Sequence, residues 1–171
     1  MEMPTFESDS IDELIRAGAI RLEITNGIPT WEAFPSLRHQ MIIDVIRTTI
    51  KPIGGADTDC ECFNAPDIYV RFPDGSLKRP DVSIFCKALP AQDDAVTVVP
   101  DAVIEIVSRG YEYKDVVINP PFYLGQGVRD VVIYDPSSQR VAHYTRGGVT
   151  NHFAPVTLAL SCGCECTIPA S

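Results

Sequence analysis

No stretch of the sequence reaches the roughly 18 consecutive apolar residues of a membrane-crossing helix, so none is expected. The opening, Met1 to Ser10, is acidic and lacks the basic-then-apolar pattern of a secretory signal, so the expected location is cytoplasmic. Positive charge is scarce: 14 Lys and Arg against 23 Asp and Glu leave a net charge of −9. That balance argues against broad, nonspecific binding to polyanions. There is no G-x-S-x-G, no phosphate-binding loop and no dinucleotide fingerprint, which removes support from serine hydrolases and nucleotide-binding enzymes. Nor is there an internal repeat, a low-complexity tract or a recognisable linker.

What remains is ordinary globular material. With 171 residues, 45% hydrophobic and 22% charged, the chain has the size and composition of one domain, expected to span residues 1–171. Six cysteines in such a chain fit free thiols better than a disulfide framework. They fall as Cys60-x-Cys62 and Cys162-x-Cys164-x-Cys166, with Cys86 between. A one-residue gap puts side chains on one face of a strand, whereas structural zinc sites favour gaps of about two to four. Small apolar residues lining strand faces is the simpler reading. A cysteine-based metal or redox module would require the two groups to meet in space.

Ser10-Ile11-Asp12-Glu13 forms a capping box for a helix that stops at Gly18. Ala19 to Ile24 reads as a strand, Asn26-Gly27 as a turn, and Pro29 to Ala33 as a second strand. Ser36 caps a helix whose apolar stripe is Leu37, Met41, Ile42, Val45, Ile46 and Ile50, followed by a loop from Lys51 to Asp59. Strands are expected over 68–72 and 77–85 around the turn Pro73-Asp74-Gly75-Ser76, and then at 102–107. Segment 108–118 fits neither pattern clearly. Asn119-Pro120 reads as an N-cap and first residue of a short helix ending at Gly125 or Gly127. Strands follow at 129–134 and 140–145, with one or two more in the tail. This order predicts an α/β fold, a mixed β-sheet flanked by helices.

Two acidic residues stand out. Glu105 shares a strand face with Val103 and Val107, and a carboxylate there is costly to ionise without a cation or donors beside it. The partner could be a structural arginine, or else a metal ion or a catalytic group. Asp81 follows Pro80 at the entrance to an apolar strand, where it could serve only the local backbone. Together the two could share one hard divalent ion such as Mg²⁺, which takes one or two carboxylates plus waters and a phosphate. His39, His143 and His152 have no partner that sequence identifies.

The ordered series Arg79-Pro80-Asp81-Val82, Pro100-Asp101-Ala102-Val103-Ile104-Glu105-Ile106-Val107-Ser108, Asp115, Tyr123, Gly127-Val128 and Tyr134-Asp135-Pro136 resembles the Uma-two family. So does the opening, Arg21-Leu22-Glu23-Ile24, Gly27 and Pro35-Ser36-Leu37-Arg38-His39-Gln40. That family is described as endonucleases of the restriction-endonuclease-like, PD-(D/E)xK fold. The resemblance implies that Asp81 and Glu105 bind Mg²⁺ (or Mn²⁺), with the Ile106 carbonyl as a further ligand and Glu23 nearby as an accessory. It also implies a DNA substrate, and a homodimer if both strands are cut.

The family's lysine is displaced. In the standard motif it stands two residues after the glutamate, which here is Val107. In the Uma-type pattern it stands on the next helix, four residues before the tyrosine, which here is Asn119. Lys114 is the nearest cation and the expected stand-in; it could equally be an exposed lysine paired with Asp115 or Glu112. Basic residues available for the cleft mouth are Arg71, Lys78, Arg79, Lys87, Arg109 and Lys114. The leading expectation is a metal-dependent phosphodiesterase, a DNA endonuclease. The alternative is a non-catalytic binding or regulatory protein of the same fold, without a competent lysine.

Overall fold

Asn26 and Gly27 both lie in the left-handed region (φ 51° and 79°), the geometry a two-residue hairpin turn requires. They join β1 (Leu22–Thr25) to β2 (Ile28–Trp31) in antiparallel register. The computed structural model describes Glu13 and residues 21–32, 35–54 and 59–171. The helix expected from Ser10 to Gly18 therefore lies, apart from Glu13, outside the described residues.

Helix α1 (Leu37–Thr49) begins where the sequence places it, with Ser36 Oγ accepting from the His39 N–H at 3.1 Å. Its buried face is Ile42, Ile43 and Ile46, while Leu37, Met41 and Val45 are exposed. The expected stripe is thus rotated. A 3.6-residue period is satisfied by either arc, and contact with the sheet selects the one containing Ile43. After β3 (Lys51–Pro52), inside the segment read as a loop, come β4 (Phe63–Pro66) and β5 (Val70–Arg71).

The single strand expected over 77–85 is two strands, β6 (Leu77–Lys78) and β7 (Val82–Phe85), belonging to different sheets. Pro80 has no amide hydrogen to continue the ladder, so the chain changes sheets at Arg79-Pro80. This break puts Lys78 on one sheet and Asp81 at the entrance to β7, an interior strand of the other.

β8 (Ala102–Ile106) is followed by a π-helical turn (Lys114–Ile118) running directly into α2 (Asn119–Gly125). Asn119 is helical and buried, and makes no side-chain cap. The cap reading fails because the preceding residues are already helical and the Asn119 amide is used elsewhere. Then come β9 (Asp130–Asp135), β10 (Arg140–Thr145), β11 (Gly148–Phe153), β12 (Val156–Ala159) and β13 (Cys164–Ile168), so the tail holds three strands.

The main sheet has the order β11-β10-β9-β8-β7-β4 and is mixed, since β8 and β9 are parallel and the other pairs antiparallel. Smaller sheets are β2-β1-β6-β5 and β12-β13-β3. One face of the main sheet packs Ile84, Ile104, Ile106 and Tyr134 against α1 and the tail; the other packs Val103, Val131 and Ile133 with Tyr123 of α2. Alternation along β8 therefore sends Glu105 to the α2 side. The arrangement is α/β, a mixed sheet with helices packed on it, as expected.

The cysteines depart from the sequence reading. Cys62 and Cys164 form a disulfide that ties the approach of β4 to the start of β13. The two groups, 102 residues apart, meet in space.

Candidate active site

Glu105 is 5% exposed, and its carboxylate is held from three sides. Tyr123 Oη and Asn119 Nδ2 donate to Oε1 at 2.6 and 3.3 Å, and the Asp81 N–H donates to Oε2 at 3.2 Å. Burial, and then the charges of Asp81, Glu23 and Asp115, push the Glu105 carboxyl well above the ordinary range. Asp81 is bound to the same strand, accepting from the Ile106 N–H at Oδ2 (2.7 Å). Its Oδ1 lies 2.9 Å from His39 Nε2 of α1. Burial opposes protonation of His39, but the hydrogen bond to Asp81 and the charges of Asp81, Asp67 and Asp115 raise its pKa.

Glu23 of β1 is the second hub. Lys78 Nζ (2.8 Å) and Lys114 Nζ (3.0 Å) both donate to its Oε2, and the Arg79 N–H donates to Oε1 (2.9 Å). Burial alone would raise this carboxyl, yet the two ammonium groups bring it down to about 2. Lys78 Nζ also donates to Asn119 Oδ1 at 2.9 Å. A buried ammonium thus reaches Glu105 through the Asn119 amide, which accepts from one and donates to the other.

Lys114 lies on the π-helical turn with its side chain 19% exposed, its ammonium between Glu23 and, at 3.9 Å, Asp115 Oδ1. Burial works against its charge, but Glu23, Glu105 and Asp115 outweigh that and hold the ammonium protonated far above neutrality. Asp115, accepting from the Ser108 N–H, is raised to about 6 by burial. Glu32 pairs with Arg79 (2.9 Å) and is raised to about 7, chiefly by burial and by Glu23.

Asp81, Glu105, Ile106, Lys114, Asp115, His39, Glu32 and Arg79 line one small cleft of about 40 Å³. That is room for an ion and a water or two, and far too little for a nucleotide. A groove of about 580 Å³ adjoins it, sharing His39, Ile106 and Ser108 and bordered by Arg38 and Arg109. Of the basic residues expected at the mouth, Arg79 and Lys114 line the cleft and Arg109 the groove. Lys78 is instead fully buried, and Lys87 pairs with Glu61 near the cysteines.

The profile of the Uma2 family, described as "Putative restriction endonuclease", matches residues 9–161. The chain belongs to this family. Uma2 membership supports a nuclease function in the broad sense. Among solved structures, "a putative nuclease belonging to DUF820 from Anabaena variabilis" is 19% identical, with a TM-score of 0.61 over 80% of this chain and 79% of that one. No curated protein matches the chain in sequence.

The structure brings Asp81, Glu105, Ile106, Lys114 and Glu23 together. It places Val107 after β8, its side chain packed with the apolar residues of the α2-side core. Three residues of the site had no ligand or catalytic role in the sequence reading: Lys78, named only as a basic residue for the cleft mouth, and His39 and Tyr123, which appeared in the family series without one. The signal for His39 lay in its place three residues after the Ser36 cap, which aims one helix face at the sheet edge. For Lys78 no pattern distinguishes a buried lysine from a surface one.

Proposed function

We propose that this chain is a divalent-metal-dependent phosphodiesterase that cuts DNA, with Asp81 and Glu105 holding Mg²⁺ or Mn²⁺. The observation that carries this reading is the surplus of carboxylates at the cleft floor. Asp81 and Glu105 are fastened to each other's strands, Glu23, Asp115 and Glu32 crowd beside them with Lys78, Lys114 and Arg79, and burial with mutual repulsion holds Glu105 and Glu32 towards their neutral forms, which a bound cation would reverse. Hard oxygen donors in that number suit a small divalent cation. The Ile106 carbonyl is the third oxygen assigned to it. When bound, the metal supplies Lewis acidity at the scissile phosphate.

The chain's own residues do the rest. Tyr123 and Asn119 fix the rotamer of Glu105, and His39 and the Ile106 amide fix Asp81. Glu23 anchors Lys114 at the cleft wall, where its ammonium faces charge developing on the phosphoryl oxygens. The adjoining groove offers Arg38 and Arg109 to the flanking phosphates, which concentrates positive charge locally on an acidic protein. Cutting both strands would take two copies related by a two-fold axis.

Plasmid nicking in Mg²⁺ or Mn²⁺, abolished by a chelator, tests this reading. Lys114→Ala is expected to lower the cleavage rate about 10²-fold, as for loss of one transition-state donor. Full activity in that variant removes Lys114 from the mechanism. The amide of Asn119, standing where the family pattern has an ammonium, favours a second reading, a non-catalytic protein of the same fold. Absence of cleavage by the unaltered chain on duplex, nicked and single-stranded DNA with either metal selects that reading.

A further inference from the structure

A second concentration of ligating groups lies at the far end of β7, away from the carboxylates. Asp81 precedes this strand and Cys86 follows it, which separates them by roughly 17 Å along the strand direction. The sulfur atoms of Cys60, Cys86 and Cys162 all lie within 4.8 Å of one another. They come from three separate places: the approach to β4, the exit of β7, and the turn between β12 and β13. Cys60 Sγ is also 3.4 Å from Cys164 Sγ of the disulfide. In a tetrahedral zinc site with bonds of about 2.3 Å, neighbouring sulfurs sit about 3.8 Å apart, so small side-chain adjustments close this triangle onto an ion.

The surroundings fit a cation-bound thiolate cluster. Cys60 and Cys162 are buried, while Cys86 is partly open to solvent and leaves a side from which an ion can enter. Arg129 Nη2 lies 3.6 Å from Cys86 Sγ, with Asp101 on its other side. Three thiolates and one Zn²⁺ carry a net charge of −1, and the guanidinium, which is also paired with Asp101, lies against its Cys86 edge. Harder cations are disfavoured, because the cluster offers sulfur rather than oxygen. Burial raises the metal-free thiols of Cys86 and Cys162, the latter to about 11, and metal binding to thiolates releases protons to solvent.

We propose that Cys60, Cys86 and Cys162 form a zinc site, with its fourth position open to water, that pins the tail to the main sheet. The site is independent of the carboxylate cleft, so its fate and that of the proposed nuclease activity are separable.

The test loads the full chain, disulfide intact, with Zn²⁺ alone and with Co²⁺ as a spectroscopic substitute. One zinc per chain is expected, with sulfur-to-cobalt charge-transfer intensity corresponding to three thiolates. Cys86→Ser and Cys162→Ser should each weaken zinc binding at least about 100-fold, and Cys166→Ser, equally buried in the tail, should leave it unchanged. Folded wild-type chain that takes up no zinc, or cobalt spectra without thiolate bands, overturns the proposal. So does equal loss in Cys166→Ser. If the serine variants fail to fold, the cobalt spectrum of the unaltered chain still decides.

Discussion

Glu105→Gln removes metal-dependent cleavage, with kcat/KM falling about 10³-fold or more, while the protein stays folded. The amide keeps the shape of the side chain and can still accept from Tyr123 Oη, which holds Oε1 at 2.6 Å. What it loses is the negative charge that, on the proposed reading, draws a hard cation to the cleft floor. The apo fold should lose little beyond the hydrogen bond from the Asp81 N–H to Oε2, about 1 kcal/mol, because the ionised carboxylate is itself disfavoured where it lies: burial and the neighbouring Asp81, Glu23 and Asp115 all oppose its charge. A second measurement separates this from misfolding. Saturating Mg²⁺ at about 100 times its dissociation constant should stabilise the wild-type chain by about 2.7 kcal/mol, and Glu105→Gln should show none of that gain. Retained cleavage in this variant would exclude Glu105 as a metal ligand.

Lys78→Met is expected to cost about 3–5 kcal/mol of stability, the consequence of removing one partner from a buried ion pair. The Lys78 and Glu23 side chains are 1% and 2% exposed, 2.8 Å apart. The variant leaves Glu23 with Lys114 as its only close ammonium and leaves Asn119 Oδ1 without its donor. In a chain of this length the thermal midpoint should drop by roughly 6–20 °C. Pairing it with Glu23→Gln should recover part of the loss, since the uncompensated carboxylate goes too. A midpoint within 2 °C of wild type, read by circular dichroism, would show that the pair is not an energetic unit.

The sequence made the fold visible where hydrophobic period and turn chemistry agree. The Asn26-Gly27 turn, the Ser36 cap and the apolar strand around Glu105 all lie where local rules put them. It was ambiguous where tertiary contact chooses between equal local solutions. The stripe of α1 and the change of sheet at Pro80 are of that kind, and so is the inward turn of Asn119, which reads as a cap until its amide is needed by Glu105. Of the site, the carboxylates were legible because an acid on an apolar strand needs a reason. Lys78 was not, because the partners that justify burying it, Glu23 and Asn119, stand 55 and 41 residues away. The cysteines carried half a message: the one-residue gaps read as strand faces, which holds for Cys164 and Cys166 on β13, whereas Cys60 and Cys62 precede β4, Cys162 lies in a turn, and only long-range packing brings the groups together.

Glu23 and Lys78 enter the site on a sheet built from strands of two to four residues, whose outer strand exposes Ile28 and Trp31. A unit of such short strands is expected to open locally before the main sheet does, which hydrogen exchange at its amides would show. It carries its acid and its base away together, so the departure leaves no lone buried charge on either of them. What it strands is Lys114, which loses its anchor, and Asn119, which loses the ammonium behind it. On the proposed reading, competence is then a population rather than a property of the folded state as such. The fraction of active molecules would follow the local opening equilibrium of β1 and β6, and a chain could keep its core intact while its cleft is idle.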